Sequence, residues 1–332
     1  MEFYSGTIHE RYVRITAMEF IMTEFPRLFL ETMGRPVRRN VPLLEHSTFR
    51  IGGPADFFFD ADSLGDLKAA VKTARLASLP YYVIGGGSNL LFDDDGFRGL
   101  IIKNRVKGVR IDVERAEIEA FSGSGLADMV ISAVNNSLEG IEFMAGIPGT
   151  LGGAVCGNAG AFGKSAGDFL ERALLLSPEG EEVEVLKNSL DFGYRRSKLK
   201  SSRDILVKAT FRLSHGDREK IKADMQAILD KRKGKHPPWT TACAGSYFKN
   251  PIMSDGTKVA AGRLLDEINA KSLVAGRAAV YSGHANFIIN LDNATSRDVL
   301  RLAEELKGRV KAKFGVDLEE EVIYLPAGAS RL

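Results

Sequence analysis

Seven glycines fall within the 18 residues GIPGTLGGAVCGNAGAFG, 146–163. Glycine loses more backbone freedom on folding than any other residue, so a plain surface loop gains nothing from such density. The tract also lacks the Ser/Pro-rich low complexity of a linker. A long stretch of bare backbone moulded against a large, flat ligand accounts for it. Gly146, Pro148, Gly152, Gly153, Ala154 and Gly160 would supply that surface. Asn158 would hydrogen-bond the ligand or cap a turn. Cys156 has no base beside it in sequence and reads as a small apolar residue.

A second glycine run, VIGGGSNLLF at 83–92, follows a β-like stretch, YYVI. Its backbone N–H groups at Gly85, Gly86 and Gly87, with the donors of Ser88 and Asn89 and the adjoining Leu90, suit a pyrophosphate. A glycine-rich hairpin is the plainer alternative. The run is not a P-loop, because no Gly-Lys-Ser/Thr follows. Nor does it open a long helix as a dinucleotide fingerprint does, since LLFDDDGF reads as a second strand and turn.

Between the glycine clusters, short strands alternate with amphipathic helices. Ser63 and Asp66 stand in capping-box positions before Leu67, Ala70, Val71 and Ala74, one apolar face. Leu126, Met129, Val130, Ala133 and Val134 make another such stripe, as do Ile221, Met225, Ile228 and Leu229 in a basic helix over about 216–233. Thr295 and Asp298 open a helix lined by Val299, Leu302, Leu306 and Val310, and a strand over about 320–325 closes the chain. The class is α+β, with the clearest break near 214.

Lysine plus arginine number 45 against 43 acids, a formal +2, which gives no bulk-charge signal for a nucleic-acid or membrane partner. Two cysteines make neither a disulfide framework nor a metal cluster, so no metal is expected. No apolar run approaches the ~18 residues of a membrane span. Glu2, Glu10, Arg11, Arg14 and Glu19 break any signal-type apolar core, and Met18 or Met22 could each be the start. A reducing cytoplasm is the expected compartment.

One further stretch, AGSYFKNP at 244–251, places Ser246 between a glycine and an aromatic residue. It is no G-x-S-x-G elbow, and no His or Asp stands at a triad-like position nearby. HSTFRIGGPADFF, YYVIGGGSNLLF, GIEFMAGIPGTLGGAVCGNAGAFG, FGYRRSKLK, AGSYFKNP, HANFIIN and LEEEV occur in this order over about 40–325. In these blocks the chain resembles the UDP-N-acetylenolpyruvoylglucosamine reductase family, in the shorter subclass that lacks a tyrosine-bearing loop.

The resemblance implies an FAD-binding region of the vanillyl-alcohol-oxidase (PCMH) type over 45–214, in two α+β subdomains at about 45–105 and 106–214. An α+β substrate-binding domain would occupy 215–332, and residues 1–40 would form a partly helical leader before the flavin-binding region. It implies FAD and NADPH as cofactors, UDP-N-acetylglucosamine enolpyruvate as substrate, and a cytoplasmic monomer acting in peptidoglycan precursor synthesis. Hydride would pass from NADPH to FAD and then to C3 of the enolpyruvyl group.

By the same resemblance, Ser246 would give a proton to C2, and Arg195 would bind the substrate carboxylate. Glu321, expected against a second carboxylate and partly protonated, would be the catalytic acid; strand alternation leaves Glu319 on the same face. Arg232 would contact the flavin. Lys235, Gly245, Asn250, His284 and Tyr194 would contact the substrate, and Arg196 would lie at the surface. VAGRAAVYSGH, 274–284, departs from the family's usual pattern and bears on nucleotide recognition. Two other functions fit less of the chain: a superfamily oxidase with covalently attached flavin, and a nucleotide-sugar binding protein without catalysis.

Overall fold

The computed structural model describes residues 17–253 and 255–328, with side chains from residue 22. Its first layer is a four-stranded sheet of β1 (Arg38–Pro42), β2 (Pro54–Ala61), β3 (Tyr81–Ile84) and, after the short β4 (Leu90–Phe92), β5 (Phe97–Asn104). The order is β1-β2-β5-β3, with β1 antiparallel to β2 and the other pairs parallel. Helix α1 (Ala17–Met33) and helix α2 (Leu64–Leu76) are part of this layer. Helix α2 carries the expected Ser63/Asp66 capping box and buries Leu67, Ala70, Val71 and Ala74.

The segment expected as a leader contributes to the core. Phe25 and Phe29 of α1 are buried, with ring centroids 4.8 Å from Phe57 and 4.9 Å from Phe59 respectively. Their i, i+4 spacing sets both rings on one face of the helix. Glu24, Arg27 and Glu31 pair with one another along the helix. Residues 1–16 lie outside the described part.

The second layer is an antiparallel sheet of β6 (Val109–Asp112), β7 (Glu117–Phe121), β8 (Leu170–Leu176), β9 (Glu182–Leu186) and β10 (Ile205–Arg212), in the order β9-β8-β10-β7-β6. Helices α3 (Leu126–Asn135) and α4 (Leu151–Cys156) bury their apolar residues in its core. Helix α5 (Arg218–Lys233) joins the same core through Ile221, Met225, Ile228 and Leu229.

The third core is drawn mainly from residue 244 onward, with Phe49, Ile51 and Leu91 contributed from the first layer's region. Its sheet holds β11 (Ala242–Cys243), β12 (Val274–Ala275), β13 (Ala278–Val280) and β14 (Ile288–Asn290), in the order β11-β14-β13-β12. Helices α6 (Ala261–Glu267) and α7 (Ser296–Phe314) flank it; α7 begins at a Thr295/Asp298 capping box. The last strand, β15 (Ile323–Leu325), leaves this unit and lies parallel to β4. That return carries the end of the chain back to the glycine run at 85–87.

Candidate active site

The two glycine tracts meet. A Cβ on Gly85 would stand 2.3 Å from Thr150 Oγ1, and one on Gly86 would stand 3.5 Å from the Cα of Gly149. Ser88 Oγ donates to the Pro148 carbonyl at 2.8 Å. Gly87 is obligatory on two counts: its φ is +66°, and a Cβ there would come 2.0 Å from the His46 carbonyl oxygen. Among the described residues, the N–H groups of Gly86, Gly87 and Ser88 donate to no backbone carbonyl. They are a row of donors without a backbone acceptor, beside the Pro148–Thr150 stretch of the second tract, and backbone N–H groups in such a row suit an anion.

Other members of the tract have internal duties. Gly152 donates its N–H to the Ser122 carbonyl and Ala154 to that of Thr150, so these two offer surface and not donors. Leu90 is buried at the start of β4. Asn158, at φ +45°, donates through Nδ2 to the Gly193 carbonyl and accepts the Gly167 N–H on Oδ1, both at 2.8 Å. These two bonds tie the glycine tract to the arginine loop. Asn89 Nδ2 likewise donates to the Glu321 carbonyl at 3.0 Å.

Arg232 stands beside Gly146, whose Cβ would come 2.9 Å from Arg232 Cδ. Its Nη2 donates to the Phe143 carbonyl at 3.1 Å, while its buried Nε has no partner among the described residues. Burial, and then the charge of Arg195, push its pKa down. Arg232 and Arg195 are thus close enough to repel, and negative charge between them would relieve both. The residues present fit a flavin dinucleotide.

Arg195 occupies a tight turn. Gly193 and Arg196 exchange N–H···O bonds of 3.0 Å each, and Arg195 between them has φ +55°. Left-handed backbone costs a non-glycine residue on the order of 1 kcal/mol, and such strain concentrates at functional positions. The turn aims the guanidinium inward: Nε donates to Glu321 Oε1 at 2.5 Å and Nη2 to the Gly160 carbonyl at 2.8 Å. The neighbouring Tyr194 hydroxyl accepts the Asn250 N–H at 3.1 Å, and Lys258 Nζ sits 3.0 Å from the Tyr194 ring centroid. Arg196 is exposed and pairs with Asp191.

The group against the Glu321 carboxylate is therefore the Arg195 guanidinium, in place of the second carboxylate expected from sequence. The three adjacent glutamates separate by partner: Glu319 pairs with Lys249, Glu320 reaches Lys307 at 3.4 Å, and Glu321 meets Arg195. Alternation alone had left Glu319 and Glu321 equivalent.

Ser246 follows Gly245, at φ +78°, and precedes the buried Tyr247 and Phe248. Asn286 locks that pair: its backbone carbonyl accepts from the Tyr247 N–H, its side-chain oxygen accepts from the Phe248 N–H, and its amide donates to the Phe248 carbonyl. The Glu321 N–H in turn donates to the Tyr247 carbonyl at 2.7 Å. Ser246 thus stands one residue from the segment that carries Glu321.

Ser246 faces a cavity of ≈ 480 Å³ lined also by Lys235, Asn250, Gly262, Asp266 and His284. Asn250 Oδ1 accepts the Ala261 N–H at 3.0 Å and so fixes the start of α6. His284 packs edge-on against Phe287 and His236, and its Nδ1 accepts the Asn286 N–H at 3.2 Å. Burial first, then nearby cations, lower the pKa of His236 to about 4, and burial lowers that of His284. Sequence reading missed His236, Asp266, Lys258 and Lys200. The only signal for His236 was its place beside Lys235 in KGKHPP.

Two family models match: the FAD binding domain over 55–186, and the C-terminal domain of UDP-N-acetylenolpyruvoylglucosamine reductase over 237–325. A UDP-N-acetylenolpyruvoylglucosamine reductase of Desulforamulus reducens is 40% identical over 289 residues, covering 87% of this chain and 93% of the relative. This chain belongs to the UDP-N-acetylenolpyruvoylglucosamine reductase family. The reductase of Clostridium tetani is 36% identical over 303 residues, covering 91% and 96%. The crystal structure of the reductase (MurB) from Thermus caldophilus superposes with a TM-score of 0.72 at 32% identity, covering 87% of this chain and all of that one. The α+β architecture is thus that of the family, a flavin-binding region followed by a C-terminal domain. FAD is the cofactor for which the family's fold is built.

Proposed function

We propose that the chain reduces UDP-N-acetylenolpyruvoylglucosamine to UDP-N-acetylmuramate at the expense of NADPH. The observation that carries this reading is the Arg195–Glu321 pair, held between the glycine tracts and the Ser246 segment. The 85–89 and 146–160 tracts, with Arg232 beside them, would hold FAD, which when bound would supply the hydride-transfer chemistry between NADPH and C3 of the enolpyruvyl group.

The chain's own residues handle charge and protons. Arg195 has N–H groups beyond those given to Glu321 and Gly160, and these grip the substrate carboxylate, into which charge spreads as C2 becomes carbanion-like. Ser246 delivers the proton to C2. Glu321 orients the guanidinium through its contact with Arg195 Nε. The added hydride at C3 and proton at C2 together saturate the double bond. The ≈ 480 Å³ cavity, with Lys235, Asn250 and His284 on its walls, receives the nucleotide-sugar.

The reaction sits in peptidoglycan precursor synthesis and is assigned to the cytoplasm. No helix among the described residues is long and apolar enough to cross a membrane. The test is NADPH consumption by the flavin-loaded protein with and without the enolpyruvyl ether, with the product identified by mass. Consumption that depends on the ether and a product heavier by two hydrogens support the assignment. NADPH oxidation indifferent to the ether overturns it.

A further inference from the structure

Lys200 lies five residues beyond Arg195, in a run, RRSKLK, that reads in sequence as surface charge. In the fold it turns inward. Its Nζ donates to the main-chain carbonyl of Arg195 at 2.8 Å. That carbonyl belongs to the left-handed residue of the turn, the third of four, where a type II geometry ordinarily takes glycine or asparagine. The turn's first carbonyl, on Gly193, is held by Asn158, and the Arg195 side chain is held by Glu321 and Gly160. Lys200 holds the main-chain carbonyl of the guanidinium-bearing residue itself.

The placement is electrostatically unfavourable. Lys200 is half-buried, and burial followed by the charge of Lys249 lowers its pKa, against weaker attraction from Cys156, Glu321 and Glu319. An ammonium kept there needs a compensating role, because burying charge costs free energy unless it is bonded.

We propose that Lys200 is a positioning residue for Arg195: it pins the strained turn so that the guanidinium meets the carboxylate of the bound ether. This rests on the function proposed above. The probe is UDP-N-acetylmuramate, whose lactyl carboxylate presents the same anion, titrated calorimetrically into the flavoprotein. Lys200→Met should weaken binding and raise KM for the ether by about tenfold, while reduction of the flavin by NADPH stays within about twofold. In an Arg195→Met background the same change should shift product affinity by less than about twofold, because a residue acting through Arg195 has nothing left to act on. Lys200→Arg should restore most of the loss.

An unchanged affinity in Lys200→Met, an equal loss in both backgrounds, or flavin reduction falling in step with ether reduction would each overturn the proposal. If Lys200→Met does not fold, Lys200→Gln carries the same comparison. Wild-type protein that ignores the ether would sink the function itself, and is seen before any variant is made.

Discussion

Asn89 and Glu321, 232 residues apart in sequence, are joined by a 3.0 Å hydrogen bond from the asparagine amide to the glutamate's main-chain carbonyl. The next residue but one, Ile323, donates its N–H to the Asn89 carbonyl at 3.0 Å and starts the parallel pairing of β15 with β4. The glycine run and the segment that carries Glu321 into β15 are therefore one mechanical unit. Asn89→Ala leaves the Glu321 carbonyl without this donor and should cost about 1–3 kcal/mol of stability. It should also weaken flavin retention and ether reduction together. Chemical denaturation and flavin content after gel filtration check both.

Ser246→Ala separates the two halves of the reaction. Ser246 lines the cavity proposed for the ether and is not part of the glycine tracts, so flavin reduction by NADPH should be unaffected. Ether reduction should fall by about 10²–10⁴, the range for losing a positioned proton donor. Rapid-mixing measurements of each half-reaction decide it; an equal fall in both would remove Ser246 from the proton-transfer role.

The buried imidazole of His236 gives stability an acid limb. Above its ordinary value of 6.5 the ring is neutral both folded and unfolded, and no penalty exists. Below 6.5 the unfolded chain takes up a proton that the folded one refuses until about pH 4, so stability should fall across that window and level off below it. His284 acts in the same direction. Because the ring is only partly buried, the screened effect should be on the order of 1 kcal/mol. Urea midpoints measured across the window should show a shallower slope in His236→Gln than in the wild type.

The N-terminal helix should be indispensable to the first layer. Phe29→Ala removes a buried ring that stacks edge-on against Phe59 and should cost roughly 3–5 kcal/mol. Leu30→Ala, at an exposed position of the same helix, should change stability by no more than about 0.5 kcal/mol. Denaturant unfolding of the two variants provides the comparison.

What could be read from sequence divides along physical lines. Requirements that act locally were legible: the capping boxes at Ser63/Asp66 and Thr295/Asp298, and the apolar stripes of α2, α3 and α7. Requirements set by distant partners were not. Nothing local announces that Asn158 bonds Gly193, or that Glu321 faces a guanidinium and not another acid. Lys200 and the exposed Lys198 look alike until the chain folds, and the burial of Phe25 and Phe29 in α1 depends on Phe57 and Phe59 of a distant strand.

The most direct measurement is anaerobic double mixing. Flavin-loaded protein is first reduced with one equivalent of NADPH, then mixed with UDP-N-acetylenolpyruvoylglucosamine while the flavin absorbance is followed. The account predicts rapid return of the oxidised spectrum with stoichiometric UDP-N-acetylmuramate in the wild type, and a flavin that stays bleached in Ser246→Ala. A wild-type flavin that remains reduced in the presence of the ether would contradict it.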